Sequence, residues 1–163
     1  MRHDDLLCFH KYQNHNGCVV NLGVYYGKSL YELCQIYGDK KVIGIDGFNW
    51  MSENSTHPFP TREFVSRNLS LHRCEPTLIQ CDSRFPPDWI KDVGVLFIDT
   101  CHTSDVVRGE IKAWTPLLRE DALVFFHDYW PSQECSYTEA IDDAMKDWRK
   151  IDRLGITAVF GRQ

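Results

Sequence analysis

Glycines 23 and 27 frame the first stretch of this sequence that could do chemistry, Val19-Val20-Asn21-Leu22-Gly23-Val24-Tyr25-Tyr26-Gly27-Lys28-Ser29. Glycine at the end of a strand lets the backbone come close to a ligand. A helix starting just after it offers an anion unpaired N–H groups and the positive end of its dipole. The spacing here is Gly-x-x-x-Gly followed by Ser29, not the Gly-x-Gly-x-x-Gly of dinucleotide-binding turns. It therefore disfavours a pyrophosphate, and with it a nicotinamide cofactor, and suits a smaller carboxylate-bearing cofactor. Tight strand-to-helix turns also use glycine for their own geometry. Asp46 closes the run Val42-Ile43-Gly44-Ile45-Asp46. An acidic side chain at the end of a second strand can accept from both hydroxyls of a ribose, or it can cap a turn. Phe48 follows, placed to lie against an adenine ring. Gln80-Cys81-Asp82-Ser83 makes a polar strand end that can read an adenine amino group or simply form a turn.

The elements that must position these residues are legible as alternating patterns. Cys18–Leu22, Lys41–Ile45, Thr77–Gln80, Val93–Ile98 and Ala122–Phe126 are short apolar runs, and the last two are apolar at consecutive positions, as in strands buried on both faces. Between them, helical spacing predicts Ser29–Tyr37, a helix capped by Thr61, Ser104–Leu118 with Val107, Ile111, Trp114 and Leu118 on one face, and Ser136–Lys150 opening on a Ser136-x-x-Glu139 capping box. The order β-α-β-α predicts a three-layer α/β domain with a parallel sheet. The tail from Ile151 has room for two short strands around Gly155, the last at Ile156–Gly161, as an antiparallel edge. Residues 47–60 form a long connection whose Phe48, Trp50 and Phe59 suit a folded lid.

With 163 residues and no internal linker, the chain 1–163 reads as one complete domain. Its net charge of −5 gives duplex phosphates nothing to grip, so nucleic acid is not an expected partner. Seven scattered cysteines without a Cys-x-x-Cys pair read as reduced thiols. With no signal-peptide core and no apolar run long enough to span a bilayer, a cytoplasmic protein without membrane contact is expected. Aromatic residues make up 13% of the chain, a surplus that suits a ligand pocket.

The blocks VVNLGVYYGKS, VIGIDGFNW, QCDS, VLFIDTCHTSDVVRGEIKAWTPLLREDALVFFHDYW and TEAIDDAMKDW, in that order, resemble the class I S-adenosylmethionine-dependent methyltransferases. They look most like the compact family-24 branch, related to sugar O-methyltransferases and more distantly to catechol O-methyltransferase. The fourth block is the most telling, with Asp99-x-x-His102, Trp114-x-Pro116 and His127-Asp128-Tyr129 at the family's spacing. The resemblance implies a Rossmann-like three-layer sandwich whose seven-stranded sheet is mostly parallel with an antiparallel C-terminal edge. It implies S-adenosylmethionine as cofactor, held by Asn21, Gly23, Tyr25, Gly27, Ser29, Asp46, Phe48, Asp82, Ser83 and Asp99. Asn21 departs from the family, which usually has Glu or Asp there to hold the methionine ammonium. The amide keeps a hydrogen bond and loses the charge.

In metal-dependent relatives the positions of Asp99, His127 and Asp128 supply cation ligands for Mg²⁺ or Mn²⁺, while many other members use no metal. His102 resembles the general base of related O-methyltransferases, and an imidazole is matched to taking a hydroxyl proton near neutrality. Asp99 and His102 are thus the expected catalytic pair, with Tyr25, Phe48 or Trp130 facing the sulfonium charge. The expected reaction is methyl transfer to a hydroxyl of a small molecule or sugar. The alternative is a protein that binds S-adenosylmethionine or S-adenosylhomocysteine without transferring the methyl group. Relatives often begin with extra helices over the substrate pocket. The few residues before Cys18 leave that pocket open, covered by the 47–60 loop, or shared with another subunit; since an open aromatic-rich site would leave a large apolar patch, a homodimer or higher homo-oligomer is expected.

Overall fold

Alternation along the strands decides the architecture, because neighbouring residues enter opposite cores. The computed structural model describes residues 7–48, 59–130 and 136–162. Seven strands, β1 (Cys18–Leu22), β2 (Val42–Asp46), β3 (Thr77–Gln80), β4 (Val93–Ile98), β5 (Leu118–Phe126), β6 (Trp148–Leu154) and β7 (Thr157–Arg162), lie in one sheet in the order β3-β2-β1-β4-β5-β7-β6. The pairs β3-β2, β2-β1, β1-β4 and β4-β5 are parallel, and β7 runs antiparallel to both β5 and β6. This is the Rossmann-like, mostly parallel sheet with an antiparallel C-terminal edge that the sequence implies.

The helices are α1 (Leu7–Lys11), α2 (Lys28–Tyr37), α3 (Arg62–Leu71), α4 (Ser104–Trp114) and α5 (Ser136–Ala144). Leu96, Ile98, Val124 and Phe126 join Val107, Ile111 and Trp114 of α4 and Tyr137 and Ile141 of α5 in one core. Val95, Phe97, Leu123 and Phe125 join Phe9 of α1, Leu30 and Leu33 of α2 and Val65 and Leu69 of α3 in the other. Both faces of the central strands are covered, which is why β4 and the Ala122–Phe126 part of β5 are apolar and buried at consecutive positions.

Helix ends differ from the periodic expectation in two places. The α4 pattern extends to Leu118, but the helix stops at Trp114 and residues 115–117 tighten into a 3₁₀ turn around Pro116. Proline has no N–H to donate and its ring collides with the carbonyl one turn back, so the α-helix cannot pass it. Leu118 then begins β5, paired with Val93. The helix expected to reach Lys150 ends at Ala144, and Trp148–Lys150 belong to β6. There Trp148 opposes Arg162 of β7, whose guanidinium lies 5.2 Å from the indole centre. Pairing in the sheet overrides helical spacing. The hairpin turns in two residues, Gly155 and Ile156, with Gly155 at φ 59°, a conformation open to glycine. Helix α1 has no counterpart in the sequence expectations. Its Phe9 is wholly buried, 5.0 Å from Phe97 and 5.2 Å from Phe125 between ring centres.

Thr61 caps α3 as expected, its hydroxyl accepting from the Phe64 N–H at 3.1 Å. The proposed lid falls largely on residues 49–58, outside the described residues. Among the described residues, Cys18, Cys34, Cys74, Cys81 and Cys101 are unbridged, and no helix is long and apolar enough to cross a membrane.

Candidate active site at the carboxyl ends of the central strands

The chain order reverses at β1, whose two neighbours are β2 and β4, and in open α/β sheets ligands bind outside the strand ends at such a reversal. Three backbone bonds extend the ladder to this rim: Gly23 N–H to Ile45 O at 2.9 Å, Asp99 N–H to Leu22 O at 2.9 Å and His127 N–H to Ile98 O at 3.0 Å. They bring Gly23, Asp99 and His127 into one row.

Gly23 has to be glycine: φ is 82°, and a Cβ there would stand 2.0 Å from the Asp99 carbonyl oxygen. Asn21 and Ser29 brace the turn from beneath. The Ser29 hydroxyl donates to Asn21 Oδ1 at 3.0 Å, while Asn21 Nδ2 donates to the Leu22 and Gly23 carbonyls at 3.2 and 3.0 Å. Asn21 is fully buried. In this arrangement the side chain expected at the methionine ammonium is committed to the turn itself. A neutral amide can donate to carbonyls, which the usual carboxylate cannot.

Asp46 also works on the backbone. Its Oδ2 accepts from the Val24 and Tyr25 N–H groups at 2.8 and 3.0 Å, and its Oδ1 accepts from the Phe48 N–H at 2.8 Å. Tyr25 and Phe48 both have left-handed backbone, φ 49° and 41°. That conformation is costly for residues with a Cβ, and the shared carboxylate compensates it. Asp46 remains only partly buried at the rim. Tyr25 is half exposed, its ring edge-on to Tyr26 and Phe59. Phe48, expected against an adenine, instead packs into the core on the α2 and α3 side, because its backbone turns the ring inward.

The loop after β3 is likewise self-engaged. Asp82 pairs with Arg84, accepting from its backbone N–H at 2.9 Å, its Nε at 3.0 Å and its Nη2 at 2.6 Å. Those bonds hold the Asp82 carboxyl below its ordinary range. The Ser83 hydroxyl donates to Glu110 on α4.

At the other end of the row stand two histidines and two carboxylates. His102 Nε2 is 3.2 Å from Asp128 Oδ2 and 3.9 Å from Asp99 Oδ1. Buried His127 directs Nδ1 at Asp99 Oδ1, 3.2 Å, and at Asp128 Oδ2, 3.3 Å. Burial works to lower the His127 pKa, but hydrogen bonds to Asp128 and Asp99 and their charges outweigh it and lift it to about 9. Asp128 moves the opposite way, below its ordinary value, chiefly through its bond to His127. Asp128, like Tyr25 and Phe48 at the same rim, has left-handed backbone, φ 55°.

Asp99, His102 and Asp128 each offer a ligand atom, all within 4.8 Å of one another. The converging set therefore contains exposed His102, where the sequence expectation had His127, which lies behind the carboxylates as their partner. Trp130 is more than one-third exposed beyond β5, anchored by its N–H to Thr138 Oγ1 at 3.1 Å.

Two residues absent from the sequence reading touch this machinery. Tyr137, buried on α5, sets its ring edge-on to His102 at 5.0 Å and donates its hydroxyl to the His127 carbonyl at 3.3 Å. No sequence signal marks it, since an aromatic residue on a helix's inner face is ordinary core. Glu110 is different. It sits on the stripe Val107, Glu110, Ile111, Trp114, where helical spacing demands apolar residues, and a carboxylate there is visible in the sequence.

The family model of a methyltransferase domain, Methyltransf_24, matches residues 20–129, and the chain belongs to this family of S-adenosylmethionine-dependent methyltransferases. The fold is shared with the O-methyltransferase NovP, at TM-score 0.71 and 16% identity over 98% of this chain and 76% of NovP. It is shared with apo CalS11, a TDP-rhamnose 3'-O-methyltransferase of calicheamicin biosynthesis, at TM-score 0.69 and 15% identity over 96% and 78% of the two chains. A putative rRNA methylase from Clostridium thermocellum is similar too, at TM-score 0.66 and 11% identity over 98% and 97%. At such identities the likeness is one of fold. No curated protein matches the sequence.

Proposed function

We propose that the protein transfers the methyl group of S-adenosylmethionine to a hydroxyl oxygen of a small molecule or sugar. The observation that carries this reading is the convergence of Asp99, His102 and Asp128 on the strand-end row that also contains the Gly23 turn. Bound S-adenosylmethionine supplies an electrophilic methyl group for in-line displacement, so most of the rate must come from alignment. The chain's contribution is orientation and proton handling. The turn at 23–27 and Asp46 hold the cofactor's amino-acid and ribose ends, and the loop at 81–84 borders its adenine. His102, oriented by Asp128 and by the Tyr137 ring, takes the hydroxyl proton as the new C–O bond forms and the C–S bond breaks.

The same three side chains fit a divalent ion as an alternative to that proton transfer. Asp99, His102 and Asp128 would hold it, which would occupy the imidazole nitrogen that otherwise takes the proton, and the ion would instead acidify a bound hydroxyl; one imidazole among two carboxylates favours Mn²⁺ or a later first-row ion over Mg²⁺. Support for the hydroxyl as target comes from NovP and CalS11, both named as O-methyltransferases. Calorimetry with S-adenosylhomocysteine, then methyl transfer across a panel of hydroxyl acceptors with Mn²⁺, Mg²⁺ or chelator, tests the reading. Failure to bind S-adenosylhomocysteine would overturn it.

The inward commitment of Asn21 favours a second reading, cofactor binding without transfer. Binding with no turnover on any acceptor, with or without metal, would select it.

A further inference from the structure

Glu110 is a wholly buried carboxylate in the middle of α4. Its Oε1 accepts from the Ser83 hydroxyl at 2.5 Å and its Oε2 from the Thr100 hydroxyl at 3.0 Å. One turn along, Trp114 Nε1 donates to the Ser83 carbonyl at 2.7 Å. Ser83 belongs to the loop after β3, and Thr100 follows Asp99 in the loop after β4. These loops leave strands that are not neighbours in the sheet, so the carboxyl of Glu110 joins what the sheet keeps apart.

We propose that Glu110 is a positioning residue which couples the adenine-side loop at 81–84 to the catalytic loop at 99–103, so that cofactor binding at the first is felt at Asp99 and His102 in the second. This rests on the cofactor-binding reading above. The physical basis is that a buried carboxylate must keep its acceptors filled. Ionised, it accepts from both hydroxyls. Protonated, it must donate to one of them, and that hydroxyl has to turn its own proton elsewhere. Protonation therefore reverses one of the two bonds and resets one of the two loops.

The switch falls in a useful range. Burial lifts the Glu110 pKa to about 7; the Ser83 and Thr100 bonds oppose the rise, as does Arg84, while Asp82 adds to it. Asp82 and Arg84, paired with each other, are the charged groups facing it from the loop after β3.

The test compares wild type with Glu110→Gln, which presents one acceptor and one donor and so mimics the protonated acid at every pH. S-adenosylhomocysteine should bind wild type more tightly as pH rises from 6 to 8, by about fivefold or more, a normal coupling for linked sites. Glu110→Gln should bind with the wild type's low-pH affinity and should lack that component. The difference between the two profiles separates Glu110 from the site's histidines, which both proteins share. Parallel profiles would overturn the coupling while leaving cofactor binding intact. Should wild type fail to bind, the cofactor reading fails, and the coupling is read by amide hydrogen exchange. Protection at 81–84 and 99–103 should change together with pH in wild type, and independent behaviour overturns the proposal. Ser83→Ala, which cuts the link from the other side, serves if Glu110→Gln does not fold.

Discussion

Asp46 braces the backbone of the turn to which the proposed function assigns the cofactor. Its three backbone bonds hold Tyr25 and Phe48 in left-handed conformations at the rim. Asp46→Ala should therefore weaken S-adenosylhomocysteine binding by at least about tenfold, the size of one lost charge-assisted bond, and lower the melting temperature as well. Asp46→Asn, which keeps one acceptor oxygen, should fall between. Calorimetry giving an unchanged affinity in a folded Asp46→Ala variant would remove the residue from the site. His102 should separate from it cleanly. In metal-free buffer His102→Ala should bind the cofactor normally and lose about 10²–10⁴-fold in turnover, with the residual rate rising at alkaline pH as the acceptor ionises unaided. A flat pH profile in that variant would deny His102 the proton.

Glycine is what lets β1 and β4 close at the rim. Gly23→Ala would drive a methyl group against the Asp99 carbonyl and force a left-handed backbone, so strand ends as well as ligand should suffer. We expect loss of several degrees in melting temperature together with loss of cofactor binding; a variant that melts like wild type would show that the seam has slack. Most elements were legible because two-sided burial writes itself as consecutive apolar residues, as in Val95-Leu96-Phe97-Ile98. The misread ends have physical causes: Pro116 cuts α4 short, and β7 recruits Trp148–Lys150 from an apparent helix. At the site, residue identity was legible while direction was not. Nothing in the sequence tells whether Asn21 or Ser83 points at a ligand or at a neighbour, and His102 and His127 exchange places in the converging ligand set.

Taken over the entire molecule, the perturbed groups predict an acid-leaning stability profile. Glu110 and His127 are both raised on folding, to about 7 and about 9 from 4.5 and 6.5. Stability from a raised group is complete below its unfolded value and is lost as pH climbs through the folded one. Glu110 therefore withdraws support on the approach to neutrality and His127 above it. Asp82 and Asp128 are lowered from 3.8, so their contribution is present above that value and fades as pH falls through their folded values. Thermal unfolding in chelator should peak on the acid side of neutrality and decline toward pH 9; a maximum at pH 8 or above would contradict these assignments. The strand order carries a different kind of consequence. The strand β5, which delivers His127 and Asp128, takes its second partner from β7, and β7 is the last of the seven to be made. While a ribosome is still producing residues 127–156, the long apolar edge of β5 has nothing beside it. The rim that carries His127 and Asp128 is therefore completed only after Thr157–Arg162 have emerged and threaded between β5 and β6. Until then the unpaired edge of the half-built sheet is open to a wrong partner.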